Sequence, residues 1–329
     1  MEIIKQPQAI NESYRQLQEN YNRPLGLAGT DTGHHTMNLI FGGWRPGKII
    51  SYAARSGHNK TGILIQMVKA AGRIQDGRRS DIRLASWELR ADEMVTRQVS
   101  HTTGFSATQL MYPKILTQSQ RDLIKDAYAA ASKYPVSYQV NSTNWANVEK
   151  MLTAYVDEVR AKEVIEGIKI QPVFCLDFIG MLEGNGKYNS RTYDVADFMK
   201  ALKSFCNKTG LAAFLLCQIN RTADSRELPE IQDISDSSSI ENNSDVVILG
   251  HRPEKLGKLT MKDFETNQEI PSKDLIYWLV RKNRNGKEGS LILSIKPATN
   301  RFWDRSLPSW DYDYTKYYSE AQYWLDLQH

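Results

Sequence analysis

The stretch Lys48-Ile-Ile-Ser-Tyr-Ala-Ala-Arg-Ser-Gly-His-Asn-Lys-Thr-Gly62 decides how the rest of the chain is read. An apolar, β-prone run breaks into small and polar residues, and a Lys-Thr pair then opens a helical pattern. That is the layout of a strand, a phosphate-cradling loop and a helix N-terminus, where converging N–H groups and the helix dipole favour an anion. The motif G-x-x-x-x-G-K-[ST] maps onto residues 54–61. Lys60 and Thr61 fit it, whereas Ala54 and Asn59 stand where it has glycine. On this match Arg55, Ser56, Gly57, His58, Asn59, Lys60, Thr61 and Gly62 would hold the phosphates of ATP. Alone the match is weak, and its weight depends on what the other strands carry.

Outward from it, strands are expected at 48–53, 83–88, 136–140, 172–177, 211–217, 245–250, 275–280 and 290–295. Helices are expected at about 1–22, 60–74, 90–104, 144–166 and 192–209, with helical character through 105–135. Residues 23–47, rich in glycine, and the polar segment 219–238 read as loop. Continuous apolar strands alternating with helices indicate an α/β domain, a central, mostly parallel sheet covered on both faces. No Pro/Ser-rich linker divides the 329 residues.

Composition agrees with a soluble globular protein: 41% hydrophobic and 24% charged residues, with a net charge of +4. The charge permits a nucleic-acid partner without arguing for one. No apolar run reaches the roughly 18–20 residues that cross a bilayer, so no membrane partner is expected. Cys175, Cys206 and Cys217 lack C-x-x-C spacing and read as buried free thiols, which with the missing h-region points to the cytosol.

The strand ends carry the chemistry that nucleotide hydrolysis needs, since ligands of open α/β sheets bind there. Lys60 would neutralise the β- and γ-phosphates, and the Thr61 hydroxyl would hold Mg²⁺. Asp177 ends the run Val-Phe-Cys-Leu-Asp and suits an acid that holds the metal through water. Glu88 could orient or deprotonate the attacking water, and Gln218 could sense the γ-phosphate. Each alone has a plainer reading as a cap or a surface charge; four at successive strand ends make a joint case. Arg281-Lys-Asn-Arg-Asn-Gly-Lys-Glu-Gly289 reads either as a basic hairpin turn, with Asn285-Gly286 at positive φ, or as a cationic finger. Lys282 and Arg284, two apart on a strand, would point the same way, most naturally toward a phosphate on an adjacent subunit.

With these residues in hand, the chain resembles the RecA-fold motor domain of DnaB-type replicative helicases from about 26 to 303. The resemblance rests on Arg45-Pro-Gly-Lys-Ile-Ile, Ser86-Trp-Glu-Leu and Leu176-Asp-Phe-Ile-Gly-Met-Leu182. It rests also on Leu216-Cys-Gln-Ile-Asn-Arg221, Ser239-Ile-Glu-Asn-Asn-Ser-Asp245 and Lys282-Asn-Arg-Asn-Gly286. It implies a RecA-like three-layer α/β/α domain over 23–303, and a homo-oligomer, a ring-shaped hexamer, that uses ATP and Mg²⁺ to move along single-stranded DNA and unwind forked duplex. It implies that Lys282 and Arg284 act in trans, and that loops 180–190 and 219–240 face DNA, with Lys187, Arg191, Arg221, Ser235, Asp236 and Ser238 as contacts. Residues 1–22, with Ile10, Tyr14, Leu17 and Tyr21 at helical spacing, would match a linker helix that docks on the next subunit; packing on their own domain is the plainer reading. The acidic-aromatic tail 304–329 reads as a packed terminal helix or a docking segment. A primase, loader or polymerase partner would follow, as would the cytosol of a bacterium or phage-infected host.

Two departures from the family pattern stand out. Asn59 replaces a glycine, which would crowd the phosphates and slow hydrolysis, although asparagine tolerates the left-handed conformation. Ser235-Asp-Ser-Ser238 replaces a run containing arginine, which removes a cationic DNA contact. An alternative is a RecA-like single-strand-binding or annealing recombination ATPase; another is a non-catalytic nucleotide-binding replication adaptor.

Overall fold

The computed structural model describes residues 5–23, 27–184, 191–220 and 226–307. In chain order these form α1 (Gln6–Tyr21), α2 (His35–Phe41), β1 (Ile49–Ala54), α3 (Lys60–Ala70), β2 (Arg78–Ser86) and α4 (Ala91–Thr103). Then come α5 (Ala107–Met111), α6 (Gln118–Ala131), β3 (Val136–Gln139), α7 (Trp145–Glu166), β4 (Lys169–Asp177) and α8 (Arg191–Thr209). They are followed by β5 (Ala212–Gln218), α9 (Ser237–Asn243), β6 (Val246–His251) and the short pair β7 (Thr260–Lys262) and β8 (Glu269–Pro271). β9 (Leu275–Asn283), β10 (Gly289–Lys296) and β11 (Arg301–Asp304) close the described fold.

β1 carries no charge and every residue is buried, as a strand with parallel neighbours on both sides and helices on both faces must be. Its neighbours are β5 and β6, and the sheet runs β11-β10-β9-β6-β1-β5-β4-β2-β3. The six strands from β6 to β3 are mutually parallel, while β9, β10 and β11 add antiparallel. Side chains alternate between two cores. Ile49 and Ala53 of β1 with Ala213, Leu215 and Cys217 of β5 face α7 and α8, where Leu152, Tyr155, Phe198 and Leu202 meet them. Ile50, Tyr52, Phe214 and Leu216 face Ile63, Leu64 and Met67 of α3 and Trp278 of β9. The expected three-layer α/β/α architecture with a mostly parallel sheet is present, and the three cysteines are buried free thiols. Among the described residues no helix is long and apolar enough to cross a membrane.

Several expected boundaries differ. Residues 23–47 are not all loop: α2 buries Met37 and Phe41 and ends on Gly42 at φ 72°, so packing overrides local glycine content. β2 starts five residues before position 83, because its interleaved charges have partners: Arg79 bonds Glu166 at 2.6 Å and Asp81 meets Lys162 at 3.1 Å. It also ends at Ser86, which leaves Glu88 in the bend beyond it. The helical segment 105–135 consists of α5 and α6, split by a 3-10 turn at Pro113, whose ring removes the donor that a continuing helix needs. The segment 219–238 is not all loop either, since α9 begins within it. β7, β8 and β11 have no counterpart in the sequence reading; they are too short to carry a periodic signal. The turn after β9 has neither Asn285 nor Gly286 at positive φ. The Asn283 side chain shapes it instead, accepting from the Asn285 N–H at 3.2 Å.

α1 buries none of its residues. Ile10, Tyr14, Leu17 and Tyr21 are 55%, 60%, 63% and 88% exposed, so the reading of a helix packed on its own domain fails. Of the tail, residues 308–329 lie outside the described residues, and with them the aromatic segment from Trp310 onward.

Candidate functional site

The register brings four strand ends together. Ala54 pairs with Gln218 and Ser86 with Asp177, so β1, β5, β4 and β2 present their C-terminal ends side by side. The Trp87 N–H donates to the Asp177 carbonyl at 2.9 Å, extending that edge to the bend that carries Glu88. Lys60, Thr61, Gln218, Asp177 and Glu88, expected from separate strands, therefore converge on one edge.

The loop from Arg55 to Asn59 turns the chain from β1 into α3. Ala54 belongs to the strand, where nothing requires glycine. The positions that do require a left-handed backbone are Gly57, at φ 78°, and Asn59, at φ 62°. A side chain at Gly57 would meet nothing within 4 Å, so the loop stands open there, with Ser56 exposed beside it. His58 is buried, and its Nδ1 accepts from the Arg252 N–H at 3.1 Å. Asn59 Oδ1 accepts from the Arg252 guanidinium at 2.6 Å, and its Nδ2 donates to the Pro297 carbonyl at 3.4 Å. The Asn59 amide is thus engaged by protein groups on the β6 side of β1. Gly62 lets α3 approach β11: a Cβ there would lie 3.0 Å from both Asn300 Oδ1 and the Phe302 ring.

Thr61 Oγ1 donates to Asp177 Oδ2 at 2.8 Å, while Asp177 Oδ1 is buried with no hydrogen-bond partner. Burial pushes the Asp177 carboxyl up to about 6, opposed by the Thr61 hydrogen bond. Burial also lowers the Lys60 ammonium, against the pull of Glu88 and Asp177, and Lys60 Nζ stands 5.9 Å from the centroid of the Phe178 ring. A buried carboxylate oxygen left open beside a hydroxyl suits Mg²⁺, a hard cation that takes few protein ligands and keeps water. With Lys60 next to it, these residues fit a magnesium nucleotide.

Gln218 shares a second feature. With Phe178, Ile179, Gly180, Arg191, Ser235 and Asp236 it lines a cavity of about 200 Å³. The Ser235 N–H donates to the Gln218 carbonyl at 3.0 Å, and Ser235 Oγ donates to Asn220 Oδ1 at 2.7 Å. Asp236, at φ 59°, caps α9, and Ser238 lies in its first turn. Arg191, Ser235 and Asp236 are therefore next to the strand end that carries Gln218. Lys187 and Arg221 lie outside the described residues.

Lys282 and Arg284 do point the same way. Lys282 donates to the Glu241 carbonyl and Arg284 to the Asn242 carbonyl at 2.7 Å, both at the C-terminal end of α9. β9 runs antiparallel to β6, with Tyr277 opposite His251 and Lys282 opposite Val247. The two cations thus sit at the opposite end of the sheet from their own chain's phosphate loop, roughly 15–20 Å away along the strand. His251, which ends β6 at the same edge as the loop, and Arg252, which follows it, escaped the sequence reading. The strand-end reasoning that singled out Asp177 and Gln218 applies equally to them.

Residues 29–304 match the family described as DnaB-like helicase C terminal domain. The chain is 24% identical over 324 residues to the replicative DNA helicase DnaB of Mycoplasma genitalium, covering 95% of this chain and 63% of that protein. It is 23% identical to DnaB of Pasteurella multocida, covering 84% of this chain and 56% of that protein. The chain thus spans about three-fifths of the length of these curated relatives. Among solved structures, one ATPase domain superposes with a TM-score of 0.75 at 16% identity, covering 92% of this chain and 99% of that one. A DnaB-like replicative helicase studied with primase gives 0.71 at 15% identity, covering 92% and 67%.

Proposed function

The chain belongs to the DnaB-like helicase C-terminal domain family, and from that premise we propose that it is the motor of an ATP-dependent replicative DNA helicase, a ring that moves along single-stranded DNA and unwinds the fork. The observation that carries this reading is the Thr61–Asp177 contact beneath the loop, with Lys60, Glu88 and Gln218 at the adjoining strand ends. Residues 55–62 bind the phosphates, and Lys60 neutralises charge on the transferring group. Thr61 and Asp177 are the residues that would hold Mg²⁺, Asp177 through water; bound there, the ion would supply neutralisation of phosphate charge. Glu88, exposed at the mouth, orients the attacking water and takes its proton. Gln218 senses the γ-phosphate, and the cavity it shares with Arg191, Ser235 and Asp236 supports a link from that sensor to DNA-facing loops.

Lys282 and Arg284 serve a neighbouring subunit's nucleotide, a role supported by their distance from their own loop. The exposed apolar face of α1 supports its reading as a linker helix, with 23–303 as the motor and 304–329 as a tail open to a primase, loader or polymerase. The setting is the bacterial or phage-infected cytosol. Asn59 lies in the left-handed region that the loop needs, which favours turnover over a purely structural nucleotide site; whether it slows hydrolysis is read from the rate of Asn59→Gly.

The test is DNA-stimulated ATP hydrolysis and forked-duplex unwinding by wild type and Lys60→Ala. Wild type is expected to do both and Lys60→Ala neither. Unwinding that survives in Lys60→Ala would rule the mechanism out, and open filaments in place of closed rings would favour the recombination reading.

A further inference from the structure

His58 and Asn59, the last two residues before the Lys-Thr pair, are both held by one residue outside the phosphate loop. Arg252 is 2% exposed and directly follows β6. Its backbone N–H donates to His58 Nδ1 at 3.1 Å. One guanidinium nitrogen donates to Asn59 Oδ1 at 2.6 Å, and the other donates to Glu254 Oε2 at 2.8 Å. Burial holds the His58 imidazole down to about 3, so the ring is neutral at pH 7 and Nδ1 keeps a lone pair to accept with. The ring packs 5.8 Å from His251, which stacks on Tyr277 at 6.2 Å, so the His58 side chain is fixed from both sides.

These contacts all lie on the β6 side of β1, whereas Gln218, Asp177 and Glu88 lie on the β5 side. Asn59 holds a left-handed backbone that glycine adopts without side-chain cost and that other residues keep only when the surroundings impose it. Its amide also stands next to the place where a nucleotide's phosphates would lie. A buried guanidinium in turn needs acceptors; Asn59 and Glu254 supply them to its two terminal nitrogens, while Nε has none.

We propose that Arg252 is a positioning residue that makes Asn59 workable in the phosphate loop: it draws the amide to the β6 side, holds residue 59 left-handed and keeps the side chain clear of the phosphates. This rests on the reading of residues 54–61 as a phosphate loop. Its distinctive consequence is that the need for Arg252 arises from Asn59, so the two act as a coupled pair rather than as two independent supports of the fold.

The test is a double-mutant cycle over wild type, Asn59→Gly, Arg252→Gln and the double variant. It reads binding of a fluorescent ADP analogue (mant-ADP) with Mg²⁺ and the thermal midpoint of the nucleotide-free protein, with Lys60→Ala as control. Arg252→Gln is expected to weaken mant-ADP binding about tenfold, the factor for one charge-assisted hydrogen bond. In the Asn59→Gly background the loss is expected to shrink below about threefold, and the midpoints to show the same non-additivity. Equal losses in both backgrounds, in binding and in midpoint, would overturn the proposal. If Arg252→Gln does not fold, Arg252→Lys runs through the same cycle, because a lysine keeps the charge but lacks the fork that serves Asn59 and Glu254 together. If Lys60→Ala binds mant-ADP as wild type does, the nucleotide site is refuted, and the midpoint cycle alone decides whether Asn59 and Arg252 are coupled.

Discussion

Buried histidines set a pH dependence at the level of single residues. Burial holds His34 and His58 down to about 3 and His251 to about 4, against an ordinary value near 6.5. The unfolded chain therefore binds protons below about pH 6.5 that the folded chain refuses. Stability from these groups is complete above that value and falls as pH drops, with a limiting slope of about 1.4 kcal/mol per pH unit for each histidine. Asp177 has the opposite sign. Its carboxyl is raised to about 6, so its contribution is present below the ordinary value near 3.8 and is lost as pH rises through about 6. His34 separates the two effects, because both its ring nitrogens lack partners and its ring stacks on Trp278 at 4.8 Å. His34→Phe keeps the stacking and cannot titrate. Urea unfolding at pH 7.5 and pH 5 is expected to show that the variant loses at least about 1 kcal/mol less than wild type on acidification. Equal losses would mean that His34 titrates normally in the folded chain.

Among the longer helices described, α1 is the one that buries nothing. Its helix is written into its own sequence: proline near the N-terminus, which favours a helix start, and an Arg15 bridge to Glu12 at 2.6 Å. Its apolar stripe has no partner within the described residues, so its removal takes away no core. Deleting residues 1–22 is expected to leave the thermal midpoint within about 2 °C of wild type, by the scale of small stability changes in a domain this large. Nucleotide binding is expected to persist, while the oligomer falls apart to monomer in size-exclusion chromatography with light scattering. An intact oligomer after the deletion would return α1 to the status of an unattached arm. The polar segment before β6 gives the contrasting lesson. Its last two residues, read as loop, begin α9, a helix of seven residues too short to show periodicity. What holds it is tertiary: its own Ile240 buried, the Ser235 contact to the end of β5, and Lys282 of β9 with Arg284 just beyond it on its last carbonyls.

For the whole molecule, the sheet separates residues 55–59 from Lys282 and Arg284 by its full height, so on the proposed reading these two cations would serve the site of a neighbouring subunit. Arg284→Ala alone is expected to lower ATP turnover by about a thousandfold, the lower range for an arginine finger, and Lys60→Ala to abolish it. Mixing the two inactive variants should restore part of the activity, because an Arg284→Ala subunit keeps an intact loop that a Lys60→Ala neighbour can serve. No recovery over a range of mixing ratios, with mixed rings verified, would place both residues in one subunit's site. Much of this was legible in the chain. Charge-free runs such as Ile49–Ala54 must be buried on both faces and so pointed to the parallel sheet, and Lys60, Thr61, Asp177 and Gln218 could be assigned because strand ends are where such a sheet binds ligands. The sequence alone determined where the main strands of the sheet run, that Asp177 and Gln218 end two of them, and that Lys282 and Arg284 share a face, because these follow from local apolar runs and alternation. Tertiary structure alone decided strand order, which makes neighbours of Ala54 and Gln218. It also decided that α1 is bare, and that Arg252, 193 residues away, donates to Asn59, because contacts across the sheet depend on register and not on spacing along the chain.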